Sequence, residues 1–292
     1  MTFEQLRQQI KKYENNDFIS SSNEMQNIVF SLSKNEVVDL ITDIGIIPED
    51  ISHDSSEEKL YSKTSDIMFA KVLECMDFDV NVLRERADAA DIVARSKYHG
   101  YSLVGDAKVF RLSRTAKNAK DFKVDSMVNW RRDNDFSVLS CPYFQYPTAS
   151  SQIYKEALNG NVMLFSWEWL YIFLQEGIQE TPSLSLKDIW NQSAIIGTKT
   201  SVANSKKRFI EEQDDNICRI IEISNENVRI HFDHIKEKIR ERGNNEILYY
   251  RDEIERVKNM DREEAVAELL SRMKLNSKIE TIQKFINKIA ND

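Results

Sequence analysis

Two carboxylates and one amine carry the most definite chemistry in this sequence: Asp91, Asp106 and Lys108. In the run Leu103-Val-Gly-Asp-Ala-Lys108 the two-residue period of a strand puts Asp106 and Lys108 on one face, with Ala107 and Val109 on the other. A carboxylate and an ammonium then share one space. If Asp91-Ile-Val-Ala-Arg95 lies antiparallel beside that strand, joined around Tyr98-His-Gly100, Asp91 brings a second carboxylate next to Asp106. Two carboxylates and the backbone carbonyl of Ala107 make an oxygen-rich set suited to Mg²⁺ and not to zinc. Phosphodiester hydrolysis needs these parts: a divalent ion to offset charge developing on the phosphoryl group, and a neighbour, here Lys108, that orients and activates a water.

Asp-x-Lys spacing alone also describes an ordinary surface salt bridge. Two flanking features favour a site. Leu103 and Val104 make the approach to Asp106 apolar, and a basic segment begins directly after it. Lys108, Arg111, Arg114, Lys117, Lys120 and Lys123 stand against the single acid Asp121, in a chain whose formal net charge is −8. An acidic protein with one concentrated basic segment can dock a polyanion locally while the rest of its surface keeps it dispersed. A three-residue repeat of basic side chains winds around a helix instead of forming a stripe, so a loop or short helix along a DNA groove suits the segment better. Ser113, Thr115 and Asn118 add polar groups, and Arg and Asn are side chains that read guanine and adenine bidentately. A solvated basic loop is the plainer alternative.

The elements that must position these residues change in type along the chain. Residues 1–77 read as mainly helical: Phe3, Leu6, Ile10 and Tyr13 recur at helical spacing, as do Met25, Ile28, Val29 and Leu32, and Ser33-Lys-Asn-Glu36 is a capping box. Pro48 to Ser56 reads as a loop, with a helix from about Ser65 to Met76. Residues 78–200 form the expected α/β core, with strand-like runs at 91–95, 101–108, 136–140 and 162–165 and helices near 124–131 and 151–158 between the later ones. Residues 201–292 turn helical and charged; Val228, Phe232, Ile235 and Ile239 share a face, and Asp261-Arg-Glu-Glu264 and Ser277-Lys-Ile-Glu280 look like capping boxes. With 7 Gly and 4 Pro in 292 residues, linkers are scarce, so the reading is one elaborated domain over residues 1–292.

Other signals are weaker. Cys75, Cys141 and Cys218 form no CxxC pair, there is no signal-peptide pattern and no apolar run of membrane-spanning length, so a soluble cytoplasmic protein is expected. His231 and His234 read as surface or interface residues, not a metal pair, and Trp167, Trp169 and Trp190 with Tyr143, Phe144 and Tyr146 read as core.

The run from Leu103 through Lys108, Arg111, Arg114 and Asn118 to Val124 resembles the active-site region of the HindIII-type restriction endonucleases, a branch of the PD-(D/E)xK nucleases. Further matches follow in order at Asn35-Glu-Val-Val-Asp-Leu40, Gly45-Ile-Ile-Pro-Glu49, Glu58-Lys-Leu-Tyr-Ser-Lys63, Phe144-Gln-Tyr-Pro-Thr148, Leu164-Phe-Ser-Trp-Glu168 and Arg262-Glu-Glu-Ala265. The resemblance puts the family's metal-binding carboxylates on Asp91 and Asp106 and its lysine on Lys108. It implies a part in activity or DNA contact for Asp121 and Lys123, and an additional acid at Glu85. Ala90 stands where the motif has proline. The resemblance further implies an α/β restriction-endonuclease-like core, a central mixed β-sheet flanked by helices with helical additions at both ends. The implied activity is Mg²⁺-dependent cleavage of double-stranded DNA by a homodimer at a short palindrome, AAGCTT by similarity, leaving 5′-phosphate and 3′-hydroxyl ends. A cognate DNA methyltransferase would act on the same site without stable association. Two other readings remain open from the residues themselves: a DNA-binding regulator that does not cut, and a structure-specific repair nuclease.

Overall fold

A computed structural model describes residues 1–83, 89–114, 118–147, 151–199 and 206–289. Two compact units result, Met1–Arg242 and Gly243–Asp292.

The first unit is built on a five-stranded mixed sheet. Its strands are β1 (Phe78–Val82), β2 (Ile92–Ser96), β3 (Ser102–Ala107), β4 (Phe136–Cys141) and β5 (Val162–Ser166), adjacent in chain order. β1, β2 and β3 pair antiparallel, whereas β3–β4 and β4–β5 pair parallel. Parallel neighbours need crossover connections long enough to return along the sheet. The helices read near 124 and 151 supply them: α5 (Ala119–Phe122) and α6 (Val124–Trp130) lie between β3 and β4, and α7 (Gln152–Gly160) between β4 and β5.

Both faces of the sheet are covered, which explains why β4 and β5 are buried at every position. One face presents Ile92, Leu103, Val138 and Phe165 to a core shared with α1 (Phe3–Tyr13), α2 (Phe18–Phe30), α3 (Lys34–Ile44), α4 (Ser56–Cys75) and α8 (Trp167–Gln175). The opposite face presents Val104, Leu139 and Leu164 to α6 and α7. Further along, α9 (Lys187–Trp190), α10 (Gln192–Lys199), α11 (Lys206–Ile220) and the first part of α12 (Asn225–Lys258) complete the unit. Trp167, Trp169, Trp190 and Tyr146 pack in the interior as expected and Tyr143 packs half-buried against it, but Phe144 stays exposed. His231, read as a surface or interface residue, bonds Glu176 across 2.5 Å, and His234, read the same way, stacks on Tyr171.

Three boundaries differ from the sequence reading. α4 begins at Ser56, capped by the Ser55 hydroxyl, and not near Ser65. The polar residues Ser55 to Glu58 resemble a loop in composition, yet a serine cap followed by Glu57 and Glu58 suits a helix start. β1 was not separately read, because its middle residues Asp79 and Asn81 dilute the apolar pattern. In the second unit α13 (Arg262–Arg272) starts on the Asp261–Glu264 capping box, but α14 (Leu275–Ile289) starts two residues before Ser277, so the second box lies inside the helix. Among the described residues no helix is long and apolar enough to cross a membrane.

Candidate active site

The antiparallel register Ile92↔Gly105 places the residue before β2 opposite the end of β3, which brings Asp91 beside Asp106. The Asp91 amide donates to the Gly105 carbonyl at 3.1 Å and its carbonyl accepts from Leu83 at 2.8 Å, fixing its backbone on both sides. A third carboxylate arrives from α4, where Asp66 accepts the Ala107 amide at 3.1 Å. One oxygen from each of Asp66, Asp91 and Asp106 lies within 4.8 Å of the others, the only such acidic group among the described residues.

Gly105 lets α4 come this close. A Cβ there would stand 2.8 Å from Phe69 on α4 and 2.7 Å from Ile92, closer than packed carbon atoms tolerate. The small residue in Val-Gly-Asp thus seats the helix against the strand end and carries Asp66 to the carboxylates. The Ala107 carbonyl follows from strand geometry, since the N–H and C=O of one strand residue point to the same edge. With its amide turned to Asp66, the carbonyl of Ala107 is directed to that edge as well.

Two ammonium groups answer the three acids. Lys108 pairs with Asp106, which is buried, while Lys108 itself is partly buried. Lys63, also on α4, donates to Asp91 at 2.8 Å and to the Leu83 carbonyl at 3.1 Å. Burial pushes the Asp106 carboxyl up to about 6, with Asp91 adding to the rise and Lys108 opposing it. Asp66 is raised for the same reasons, burial first and then repulsion from Asp91 and Asp106. Burial would raise Asp91 too, yet the charge and hydrogen bond of Lys63 bring it below the ordinary value. Lys108 is held above the usual lysine range because attraction to Asp106 outweighs its desolvation. Crowded carboxylates that resist ionisation are relieved by a hard cation, and an all-oxygen set without thiolate or imidazole fits one of the Mg²⁺ class.

The site opens into a cleft of about 720 Å³ whose lining includes Lys63, Asp66 and Asp91 together with Arg114, Lys123 and Trp130. The basic segment therefore approaches the carboxylates in space as well as in sequence. Its members have different environments. Arg114, Asn118, Lys120 and Lys123 are exposed. Arg111 is buried, with its guanidinium bound to Glu58 at 2.6 Å and to the Ile51 carbonyl, so in this chain it anchors the loop instead of facing a groove. Asp121 pairs with Arg114 at 2.7 Å and accepts the Asn118 amide at 2.8 Å, a brace for the loop that stands outside the carboxylate group. Lys123 adopts a left-handed backbone, φ 52°, where α5 turns into α6, and its ammonium lies 5.5 Å from the Trp130 ring centre. Lys117 and Glu85 lie outside the described residues.

Asp66 and Lys63 are not legible as site residues in the sequence, where the helix is expected to start near Ser65, past Lys63 and at the edge of Asp66. A signal was present. From Ile67 to Leu73 α4 is buried all round, and polar residues at the head of such a helix need partners.

A mixed sheet enclosed by helices, with two acids and a lysine converging at one strand end and a third acid from the helix laid across it, is the architecture of the restriction-endonuclease-like nucleases. Comparison with known proteins narrows the class. The sequence model of the HindIII restriction endonuclease family matches residues 8–286. The chain is also 41% identical over 286 residues to the type II restriction enzyme HindIII of Haemophilus influenzae (strain ATCC 51907 / DSM 11121 / KW20 / Rd), covering 98% of this chain and 95% of that one. The chain belongs to the HindIII restriction endonuclease family, and the enzyme is a type II restriction endonuclease.

Proposed function

We propose that this enzyme hydrolyses both strands of double-stranded DNA at a short palindrome in a Mg²⁺-dependent reaction, leaving 5′-phosphate and 3′-hydroxyl ends. The supporting observation is the grouping of Asp66, Asp91 and Asp106, the last paired with Lys108, beside a cleft that Asp66, Asp91, Arg114 and Lys123 line. Mg²⁺ bound by Asp91, Asp106, Asp66 and the Ala107 carbonyl would supply Lewis-acid stabilisation of charge developing on the phosphoryl oxygens. Asp66 keeps the Ala107 amide occupied, so the neighbouring carbonyl stays oriented. Lys108, retained as an ammonium by Asp106, would donate to the oxygen of the attacking water and stabilise the hydroxide formed as that water passes its proton to bulk solvent.

Arg114, Asn118, Lys120 and Lys123, with Lys117 between them in sequence, are assigned to the DNA backbone and base edges, and Asp121 holds Arg114 and Asn118 in register for that contact. The target AAGCTT rests on the resemblance of the segment around Asn118. A palindrome implies a two-fold homodimer, one subunit cutting each strand, acting in the cytoplasm beside a methyltransferase that protects the same sequence.

Digestion of plasmid DNA by the purified chain tests this reading. Discrete fragments with Mg²⁺, none with chelator, and identical staggered ends on sequencing are the expected result. Scattered termini would point to a structure-specific nuclease, and intact plasmid bound by the protein to a regulator.

A further inference from the structure

We propose that Lys63 is a positioning residue of the active site, holding Asp91 in its ligating orientation and setting how tightly the site takes a divalent cation. This rests on the nuclease reading above and adds a residue to its machinery.

Lys63 stands three residues before Asp66 on α4, so both side chains leave the helix toward the same cleft. The Lys63 ammonium reaches the Oδ1 atom of Asp91 at 2.8 Å and the Leu83 carbonyl at 3.1 Å. Leu83 donates its own amide to the Asp91 carbonyl, closing a ring in which helix, strand exit and carboxylate hold one another. The Lys63 side chain is 13% exposed and that of Asp91 29%, so solvent screens the pair only in part. Asp106 already has Lys108 and Asp66 has the Ala107 amide. Asp91 precedes β2 by one residue, and Lys63 is the cation that directs its side chain, with Asp106 as its other hydrogen-bonding neighbour.

Charge gives the second half of the role. Three carboxylates and two ammoniums leave the cluster one negative charge when all are ionised, and loss of Lys63 would leave two. An arriving divalent ion meets the Lys63 charge at ion-pair range of one of its ligands, where repulsion is substantial even at a protein-like dielectric. Lys63 thus fixes geometry before the metal arrives and weakens its binding.

Replacement by glutamine separates the effects, because it removes the charge and keeps a donor. Mg²⁺ affinity of the DNA-free protein is measured by calorimetry, alongside steady-state cleavage. Lys63→Gln is expected to bind Mg²⁺ at least about tenfold more tightly than the parent, a change of about 1.4 kcal/mol, while kcat falls and KM for DNA changes little. Lys63→Arg is expected to restore parental affinity and most of the rate. A residue that served only the fold would lower thermal stability without tightening the metal. Unchanged or weaker Mg²⁺ binding by a folded Lys63→Gln variant overturns the proposal. If that variant does not fold, Lys63→Arg decides, since parental affinity supports the charge role and tightening defeats it. A parent that binds Mg²⁺ and cuts plasmid, beside a variant with unaltered affinity, sinks only the role of Lys63; a parent that does neither sinks the nuclease reading itself.

Discussion

The Asp66 carboxylate accepts the Ala107 amide across 3.1 Å, tying α4 to the end of β3 at the point where Asp106 and Lys108 diverge from the sheet. One bond thereby supplies a third acid to the site and a fixed direction to the Ala107 carbonyl. Asp66→Asn keeps an oxygen for that amide and removes the charge. Its plasmid cleavage rate should fall by roughly 10²-fold or more, the order seen when a positioned electrostatic group is lost. A rate within a few-fold of the parent would show that Asp66 is a structural acceptor only.

Asp106→Ala should abolish cleavage while specific DNA binding, measured by gel shift with chelator present, stays within a few-fold. The substitution removes the acid most deeply set in the site and leaves the basic loop untouched. Cleavage at the parental rate would show the chemistry to lie elsewhere.

The metal-free enzyme should lose stability as pH rises from 5 to 7.5. Asp106 titrates at about 6, and Asp66 is also raised, against roughly 3.9 for an unfolded aspartate. A raised value in the folded chain means that the stabilising contribution is complete below the unfolded value and vanishes as pH climbs through the folded one. The loss is on the order of 2 kcal/mol for this cluster. Acids with lowered values, such as Glu36 at about 2, act with the opposite sign but below this window. Thermal melts in chelator at pH 5, 6 and 7.5 measure the slope, which Asp66→Asn should flatten and added Mg²⁺ should offset. A flat profile in the parent would mean that the three acids are not competing.

Arg111→Ala should destabilise the fold by about 3 kcal/mol or more, because it strands Glu58 without its partner in a largely buried pair. Urea denaturation reads this directly. A change below about 0.5 kcal/mol, as for an exposed residue, would return Arg111 to the DNA-facing set.

Gly105→Ala should both lower stability and slow cleavage, since the new methyl group must displace Phe69 or Ile92. The expected cost is about 1–3 kcal/mol. Parental melting and activity together would mean that α4 has slack at this contact.

The sequence made the sheet legible where its physics is local. Alternation and apolar runs located β2 to β5, and the period of two placed Asp106 and Lys108 together, as their ion pair shows. Asp91 could be set opposite Asp106 because a hairpin around Tyr98 leaves few registers. What stayed hidden depends on contacts distant in sequence. Lys63 meets Asp91 across 28 residues and Asp66 meets Ala107 across 41, and nothing in the composition of a helix announces such partners. Spacing alone groups the basic residues in one segment, yet Arg111 turns inward to Glu58, 53 residues away.

Glu58, Lys63 and Asp66 fall within about two turns of α4, and they hold Arg111, Asp91 and the Ala107 amide in turn. All three attachments hold only while that helix keeps its tilt. A change that rotates it would loosen the Arg111 anchor and the paired carboxylates in the same stroke, so neither is lost alone.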